Sequence, residues 1–137
     1  MNKNEKITCL VVTSEPYFWK EYIEQLEKFG VNVILITNAK ETLKKLQKEK
    51  YTFAVISNTM FGKVGKPPKN GFEYDPYNVG LDYLSEPLEE KKIPYFLLCT
   101  AREVPKGTIL PSCLWTGKSS SILPSEMVAI LEEKKII

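Results

Sequence analysis

Apolar and amphipathic blocks alternate along the chain. The apolar blocks are short and nearly unbroken: residues 7–12, 31–36, 53–56 and 95–99 each contain at most one polar residue. Such continuous runs are typical of strands in a parallel sheet that is covered on both faces. A strand with one face exposed to solvent would alternate apolar and polar residues. The pattern therefore predicts buried parallel strands.

Helical patterns separate these runs. The first helix is marked by four apolar residues that share one face: Phe18, Tyr22, Leu26 and Phe29. Gly30 ends this helix, because glycine tolerates the left-handed conformation common at helix C-termini. Three more helices are indicated: around Leu43 and Leu46, around Leu81, Leu84 and Leu88, and after Pro124.

The order of these elements predicts an α/β fold of the flavodoxin-like type. We expect a three-layer, doubly wound sheet of five parallel strands in the order 2-1-3-4-5, with right-handed connections. Residues 61–78 form an insertion after the third strand, and residues 102–112 leave room only for a degenerate fourth helix. The 137 residues suffice for one core, so we expect a single domain over residues 1–137.

Composition excludes several classes of function. The chain has no histidine, which removes imidazole-based triads and the commonest zinc ligand. Its formal net charge of +2 is low for a nucleic-acid binder. No apolar run is long enough to cross a bilayer, and no signal peptide opens the chain. We therefore expect a cytoplasmic protein that binds neither nucleic acid nor membrane.

The cysteines are three in number, and each lies in an apolar stretch: Cys9, Cys99 and Cys113. An odd number at such positions favours buried thiols over a disulfide or a metal site.

Polar residues follow the predicted strands. Thr13 and Ser14 follow the first strand, Asn58 the third, Thr100 the fourth and Lys118 the fifth. The carboxyl ends of parallel strands meet at one edge of the sheet, where folds of this type bind their ligands. We call these five the strand-end residues and expect them to line one crevice.

In order and spacing the chain resembles the receiver domain of bacterial two-component response regulators. The resemblance covers nearly the whole chain apart from residues 61–78. It is carried by residues 10–14, 53–58 and 93–101 and by Lys118. In that family the first strand ends in two acidic residues, and the position of Asn58 holds an aspartate that accepts a phosphoryl group. Ser119 also departs from the family, which has proline there.

The resemblance implies a phosphorylation switch that lacks its reactive group. A receiver needs three carboxylates around one Mg²⁺, because the incoming phosphoryl charge must be neutralised. Thr13 and Ser14 replace the acidic pair, and the amide of Asn58 is a poor nucleophile with no charge for a cation. We therefore expect no metal, no cofactor, no aspartyl phosphorylation and no enzymatic activity.

Thr100 and Lys118 keep their family identities, which in a working receiver bind phosphoryl oxygens. Two interpretations stay open. Both side chains are remnants that hydrogen-bond Thr13, Ser14 or Asn58, or they form a site for a small anion or a partner's carboxylate.

These observations lead to the hypothesis of a stand-alone pseudo-receiver, a phosphorylation-independent protein-interaction module in signalling or regulation. Its partner is another protein or a second copy in a homodimer. Expected contact residues are Trp115, Met127, Tyr74 and Tyr77. The last two lie within the insertion, which is a lid, a recognition loop or a solvated excursion. The alternative is a flavodoxin-like domain that binds a small ligand or anion at the strand-end residues.

Overall fold

The computed structural model describes residues 6–37, 39–57, 93–100 and 113–137. These residues form five β-strands and three α-helices. The strands are β1 (Thr8–Val12), β2 (Asn32–Ile36), β3 (Phe53–Ser57), β4 (Phe96–Cys99) and β5 (Cys113–Gly117). The helices are α1 (Lys20–Lys28), α2 (Ala39–Lys48) and α3 (Pro124–Glu133).

The five strands form one sheet in the order β2-β1-β3-β4-β5, with every neighbouring pair parallel. This confirms the predicted flavodoxin-like topology. The steps from β1 to β2 and from β2 to β3 run in opposite directions across the sheet. Right-handed crossovers therefore place α1 and α2 on opposite faces.

The main core lies on the face of the sheet that α1 and α3 cover. Alternate strand residues point to this face, among them Cys9, Val11, Phe53, Val55, Leu97 and Cys99. Leu26 of α1 and Leu131 of α3 pack against them and are both 0% exposed. Burying one such leucine contributes roughly 1.5–3 kcal/mol to folding.

The opposite face of the sheet is buried as well. Leu10, Ala54 and Ile56 are each 0% exposed, although their side chains alternate with those of the main core. Burial on both faces is the physical reason that the strand sequences are continuously apolar rather than alternating.

Helix α1 ends at the predicted glycine. Gly30 has a φ of 80°, its N–H donates to the carbonyl of Glu27 at 3.0 Å, and the N–H of Val31 donates to the carbonyl of Leu26 at 3.2 Å. These two bonds form a Schellman motif, which uses carbonyls that the helix itself leaves unpaired. The packing of buried Val31 near buried Leu26 completes the motif.

The start of α1 differs from the predicted helix face. Residues Pro16–Trp19 form a 3-10 turn, and α1 begins only at Lys20. A 3-10 turn has three residues per turn instead of 3.6, so it changes which side chain faces the core. Trp19 is buried at 2% exposure, whereas Phe18 and Phe29 are 39% and 45% exposed.

Several predicted elements lie outside the described residues. They are the helix around Leu81 to Leu88, the insertion at residues 61–78 and the degenerate fourth helix at residues 102–112.

Candidate functional site

The carboxyl ends of the strands bring several of the predicted strand-end residues to one edge of the sheet. In the parallel register Ser57 pairs with Cys99, and Cys99 pairs with Gly117. Thr100 and Lys118 directly follow these paired residues, and the N–H of Thr100 donates to the carbonyl of Gly117 at 2.8 Å. The structure thus places Thr100 and Lys118 after adjacent strands, as predicted.

Thr13 lies at the same edge, directly after β1. It is 2% exposed, and its N–H donates to the carbonyl of Ile36 at 3.0 Å. Its hydroxyl oxygen accepts a hydrogen bond from the N–H of Glu15 at 3.0 Å. The side chain therefore closes a local turn that leads into the 3-10 segment, in the manner common for threonine at chain reversals. Ser14, within this turn, is exposed.

Thr100 and Lys118 differ in their surroundings. Thr100 is 8% exposed, so its hydroxyl is a buried polar group. Lys118 is exposed, and its extended backbone, with φ −74° and ψ 141°, leads into a second 3-10 turn at Ser119–Ser121. Its carbonyl accepts a hydrogen bond from the N–H of Ser121 at 2.9 Å. An exposed lysine at this position can reach a ligand from the solvent side.

The described strand-end side chains are neutral or positive, although the exposed Glu15 directly follows Ser14. Thr13, Ser14 and Thr100 offer hydroxyls, and Lys118 offers an ammonium. Within the described ranges, no group of three or more His, Cys, Asp or Glu side chains is arranged to hold a metal. Proteins usually hold Mg²⁺ through one or two carboxylates and several waters, and none of these four side chains is a carboxylate. They fit an anion better than a cation.

Three of the residues predicted for the site or for partner contacts, Asn58, Tyr74 and Tyr77, lie outside the described residues.

The predicted contact residue Met127 is corrected by the structure. It is 1% exposed and belongs to the main core, because the first turn of α3 faces the sheet. A side chain buried to this extent cannot contribute to a contact surface in this fold.

Trp115, the other described contact prediction, is partly buried and packs against the main core. Its ring also covers Gly117, because a Cβ at Gly117 would lie 2.9 Å from Cζ2 of the indole. Residues i and i+2 of a strand share a face, so the indole extends along β5 towards the strand's carboxyl end. Both tryptophans thus serve in packing, and the contact role expected of Trp115 stays a prediction.

The cysteines are free thiols in the structure. Cys9 and Cys99 are buried, which confirms the expectation for these two, whereas Cys113 is partly exposed. Burial raises the pKa of Cys9, although a backbone hydrogen bond from Val55 opposes the rise. Burial, with a smaller contribution from Cys113, raises the pKa of Cys99 to about 12. Both thiols are therefore poor nucleophiles at neutral pH.

An aromatic cluster lies at the start of α1; the sequence placed Phe18 and Tyr22 on one helix face but did not predict that Trp19 joins them. Phe18 stacks on Tyr22 with ring centroids 5.5 Å apart, and Trp19 lies 4.7 Å from Tyr22. The Tyr22 hydroxyl donates a hydrogen bond to the carbonyl of Ile122. Burial raises the pKa of Tyr22, and the nearby Cys99, Glu21 and Glu126 raise it further. The i, i+4 spacing of Phe18 and Tyr22 was the available signal.

The sequence matches no protein-family model and no curated protein. Solved structures do match. A CheY-like response regulator receiver domain protein from Methanospirillum hungatei superimposes with a TM-score of 0.70 at 14% identity, covering 95% of this chain and 94% of that one.

Two further matches have the same character. A response regulator receiver domain protein from Bacillus halodurans gives a TM-score of 0.66 at 13% identity, covering 94% of this chain and 97% of that one. A two-component response regulator from Clostridium difficile gives a TM-score of 0.61 at 15% identity, covering 94% of this chain and 98% of that one. The chain has the receiver-domain fold. At such low sequence identities, the structural similarity establishes the fold but not the activity. The activity has to be argued from the residues of the site.

In the part of the chain that the structure describes, no helix combines the length and the apolar character that crossing a bilayer requires.

Proposed function

We propose that this chain is a pseudo-receiver: a receiver-like module that works in the cytoplasm without phosphorylation, through contacts with other proteins in signalling or regulation. The observation that carries the proposal is the chemistry of the strand ends. The receiver-domain fold is present, yet Thr13 and Ser14 stand where receivers carry an acidic pair, and Asn58 stands at the acceptor position.

Without these carboxylates, we expect no phosphoryl transfer to this chain at the acceptor position. Phosphoryl transfer to an aspartate needs a carboxylate nucleophile and a divalent cation that offsets the charge of the phosphoryl group. A serine hydroxyl, a threonine hydroxyl already bonded to the Glu15 N–H, and an amide supply neither. On this proposal the chain does not catalyse transfer of a phosphoryl group to itself. Its output depends on which partner protein it binds.

Mass spectrometry after incubation with acetyl phosphate and Mg²⁺ tests the first half of this proposal. We expect no added phosphoryl group on the wild type. The triple variant Thr13→Asp/Ser14→Asp/Asn58→Asp is the matched control, because it restores the carboxylates on the same scaffold. Labelling of the wild-type chain would contradict the proposal.

The second half is tested by capturing partners from the cell that makes the protein. We expect a stoichiometric protein partner whose recovery does not change when acetyl phosphate is added. Recovery of no protein partner under mild conditions would contradict an interaction module.

A second candidate function is favoured by the buried hydroxyl of Thr100 beside the start of the Lys118 segment. Thr100 is only 8% exposed, and its backbone is tied to Gly117, so the hydroxyl and the ammonium belong to neighbouring strand ends. Such a pair suits a small anion. A thermal-shift screen with phosphate, nucleotides and flavins would raise the melting temperature of an anion binder and leave that of a pure interaction module unchanged.

A further inference from the structure

Three exposed apolar residues belong to the two segments that Tyr22 joins at the carboxyl-end edge of the sheet, the turn before α1 and the segment before α3. Phe18 is 39% exposed and stacks on the Tyr22 ring. Tyr17, its neighbour in the 3-10 turn, is 93% exposed. Leu123 is 60% exposed and directly follows Ile122, whose carbonyl accepts the hydrogen bond of the Tyr22 hydroxyl. We call Tyr17, Phe18 and Leu123 the apolar patch.

The backbone under the apolar patch is held at both sides. Tyr17 and Phe18 lie in a turn that opens with Pro16, and Phe18 makes an edge contact with the buried Trp19 ring at 5.2 Å. Leu123 precedes Pro124, and its N–H donates to a carboxylate oxygen of Glu126 at 2.9 Å. A backbone that is restrained before binding lowers the conformational entropy that is lost when the patch is covered.

The charge around the apolar patch is mainly negative. A carboxylate oxygen of Glu126 accepts a hydrogen bond from the N–H of Leu123 at 2.9 Å, and Glu21 lies in the first turn of α1 beside Tyr22. Both carboxylates contribute to raising the pKa of Tyr22, after burial and Cys99. Glu15 directly precedes the turn that carries Tyr17 and Phe18, and Lys20 is the one basic residue in the segment from Glu15 to Tyr22. A partner with lysine or arginine beside its apolar side chains would therefore be electrostatically complementary.

We propose that the apolar patch is the docking surface for a partner protein segment that carries aromatic or aliphatic side chains flanked by lysine or arginine. This inference rests on the proposed function as a protein-interaction module. It names the surface and the chemistry of the partner: apolar anchors bind over Phe18 and Leu123, and basic side chains face Glu21 and Glu126.

The test uses the full chain, immobilised, and a phage-displayed library of random peptides. We expect enriched sequences to combine apolar side chains with a net positive charge. A synthetic peptide of the consensus should bind about tenfold more weakly to Phe18→Ser and to Leu123→Ser, and its affinity should fall as the salt concentration rises. Tyr17→Ser provides a variant that cannot disturb the fold, because that side chain is 93% exposed.

Two matched controls remove exposed apolar side chains at the other edge of the sheet. Phe29 and Tyr95 are 45% and 41% exposed and precede β2 and β4, so Phe29→Ser and Tyr95→Ser should bind the peptide as the wild type does. Peptides that bind all variants alike, an acidic consensus, or no enrichment would overturn the proposal. A wild-type dimer in sedimentation equilibrium that Phe18→Ser dissociates would make the occupant a second copy and would overturn it as well.

Failure of this inference is distinguishable from failure of the proposed function. A cellular partner that binds the wild type and Phe18→Ser equally would overturn the docking surface and leave the interaction module standing. Recovery of no cellular partner, together with no peptide enrichment, would contradict both.

Discussion

The hydroxyl of Tyr22 donates a hydrogen bond to the backbone carbonyl of Ile122 and so joins α1 to the segment between β5 and α3. The two residues are separated by 100 positions in the chain. Tyr22 also packs in the main core and against two other aromatic rings. This contact fixes the segment that carries Ser119–Ser121, directly after Lys118, and it fixes the base of the apolar patch.

Tyr22→Phe should destabilise the protein by about 1–3 kcal/mol, because it leaves the buried carbonyl of Ile122 without its donor. Urea unfolding measures the change. Tyr51→Phe is the matched control, since its hydroxyl donates to a side chain, Glu49, that is exposed and can be hydrated instead. An equal loss in both variants would contradict the structural role of the Tyr22 contact.

The two helix ends at Gly30 and Lys135 predict changes of opposite sign. Lys135 has a φ of 59°, and the N–H of Ile136 donates to the carbonyl of Leu131 at 2.9 Å, so α3 ends in the same motif as α1 but without a glycine. Lys135→Gly should stabilise the protein by about 0.5–1 kcal/mol. Gly30→Ala should destabilise it by about 1 kcal/mol, since the new Cβ meets nothing within 4 Å and only the backbone conformation is strained.

Thermal unfolding of the two variants beside the wild type checks this pair. Lys134→Gly, at a residue with φ −83°, is the control and should give no stabilisation. If Lys135→Gly and Lys134→Gly behaved alike, the left-handed conformation of Lys135 would be contradicted.

Gly117→Ala should displace the indole of Trp115. The new Cβ would lie 2.9 Å from Cζ2 of the ring, and a rigid ring beside a strand cannot yield without moving as a whole. We expect a loss of about 1–3 kcal/mol and a shifted Trp115 indole N–H resonance, while the Trp19 resonance stays in place. Adding Trp115→Leu should recover most of the loss, because the two changes share one contact. Additive losses would show that the indole does not cover Gly117.

Alkaline pH should destabilise the fold through its buried thiols and Tyr51. Burial raises the pKa of Cys99 to about 12, and burial together with the Glu49 hydrogen bond raises that of Tyr51 to about 12. The corresponding pKa values in an unfolded chain are about 8.5 for cysteine and 10 for tyrosine. The folded state therefore retains protons that the unfolded state loses. This contribution is complete below about pH 8.5 and is lost as the pH rises towards 12.

Urea unfolding between pH 8 and 11 measures this effect. The free energy of unfolding should fall with pH in the wild type and fall less steeply in Cys99→Ala, although that variant is less stable at neutral pH because of its cavity. An unchanged slope in Cys99→Ala would contradict the assignment to this thiol.

The sheet could be predicted from the sequence because its signals are local and redundant. Four apolar runs, the Gly30 helix end and the crossover lengths all indicate the same topology, and the structure confirms it. The start of α1 could not be predicted, because Pro16 opens a 3-10 turn that shifts Trp19 to the core in place of Phe18. The apolar pattern alone does not show which of these two aromatic residues faces the core.

The candidate site could likewise be predicted only in part from the sequence. That Thr13, Thr100 and Lys118 follow strands at one edge is a consequence of topology, so the sequence predicted it. The burial of Met127 and the bond from Tyr22 to Ile122 depend on how α1 and α3 pack across the sheet, and no local pattern reports that packing. The exposed patch at Tyr17, Phe18 and Leu123 emerges only from that arrangement.

The central claim is that the five strand-end residues include no carboxylate to hold a divalent cation. Isothermal titration of Mg²⁺ into the wild type and into Thr13→Asp/Ser14→Asp/Asn58→Asp tests it most directly. We expect no saturable heat from the wild type and a one-site isotherm from the triple variant, whose three carboxylates supply the missing oxygen ligands. A saturable one-site isotherm from the wild-type chain would contradict the account.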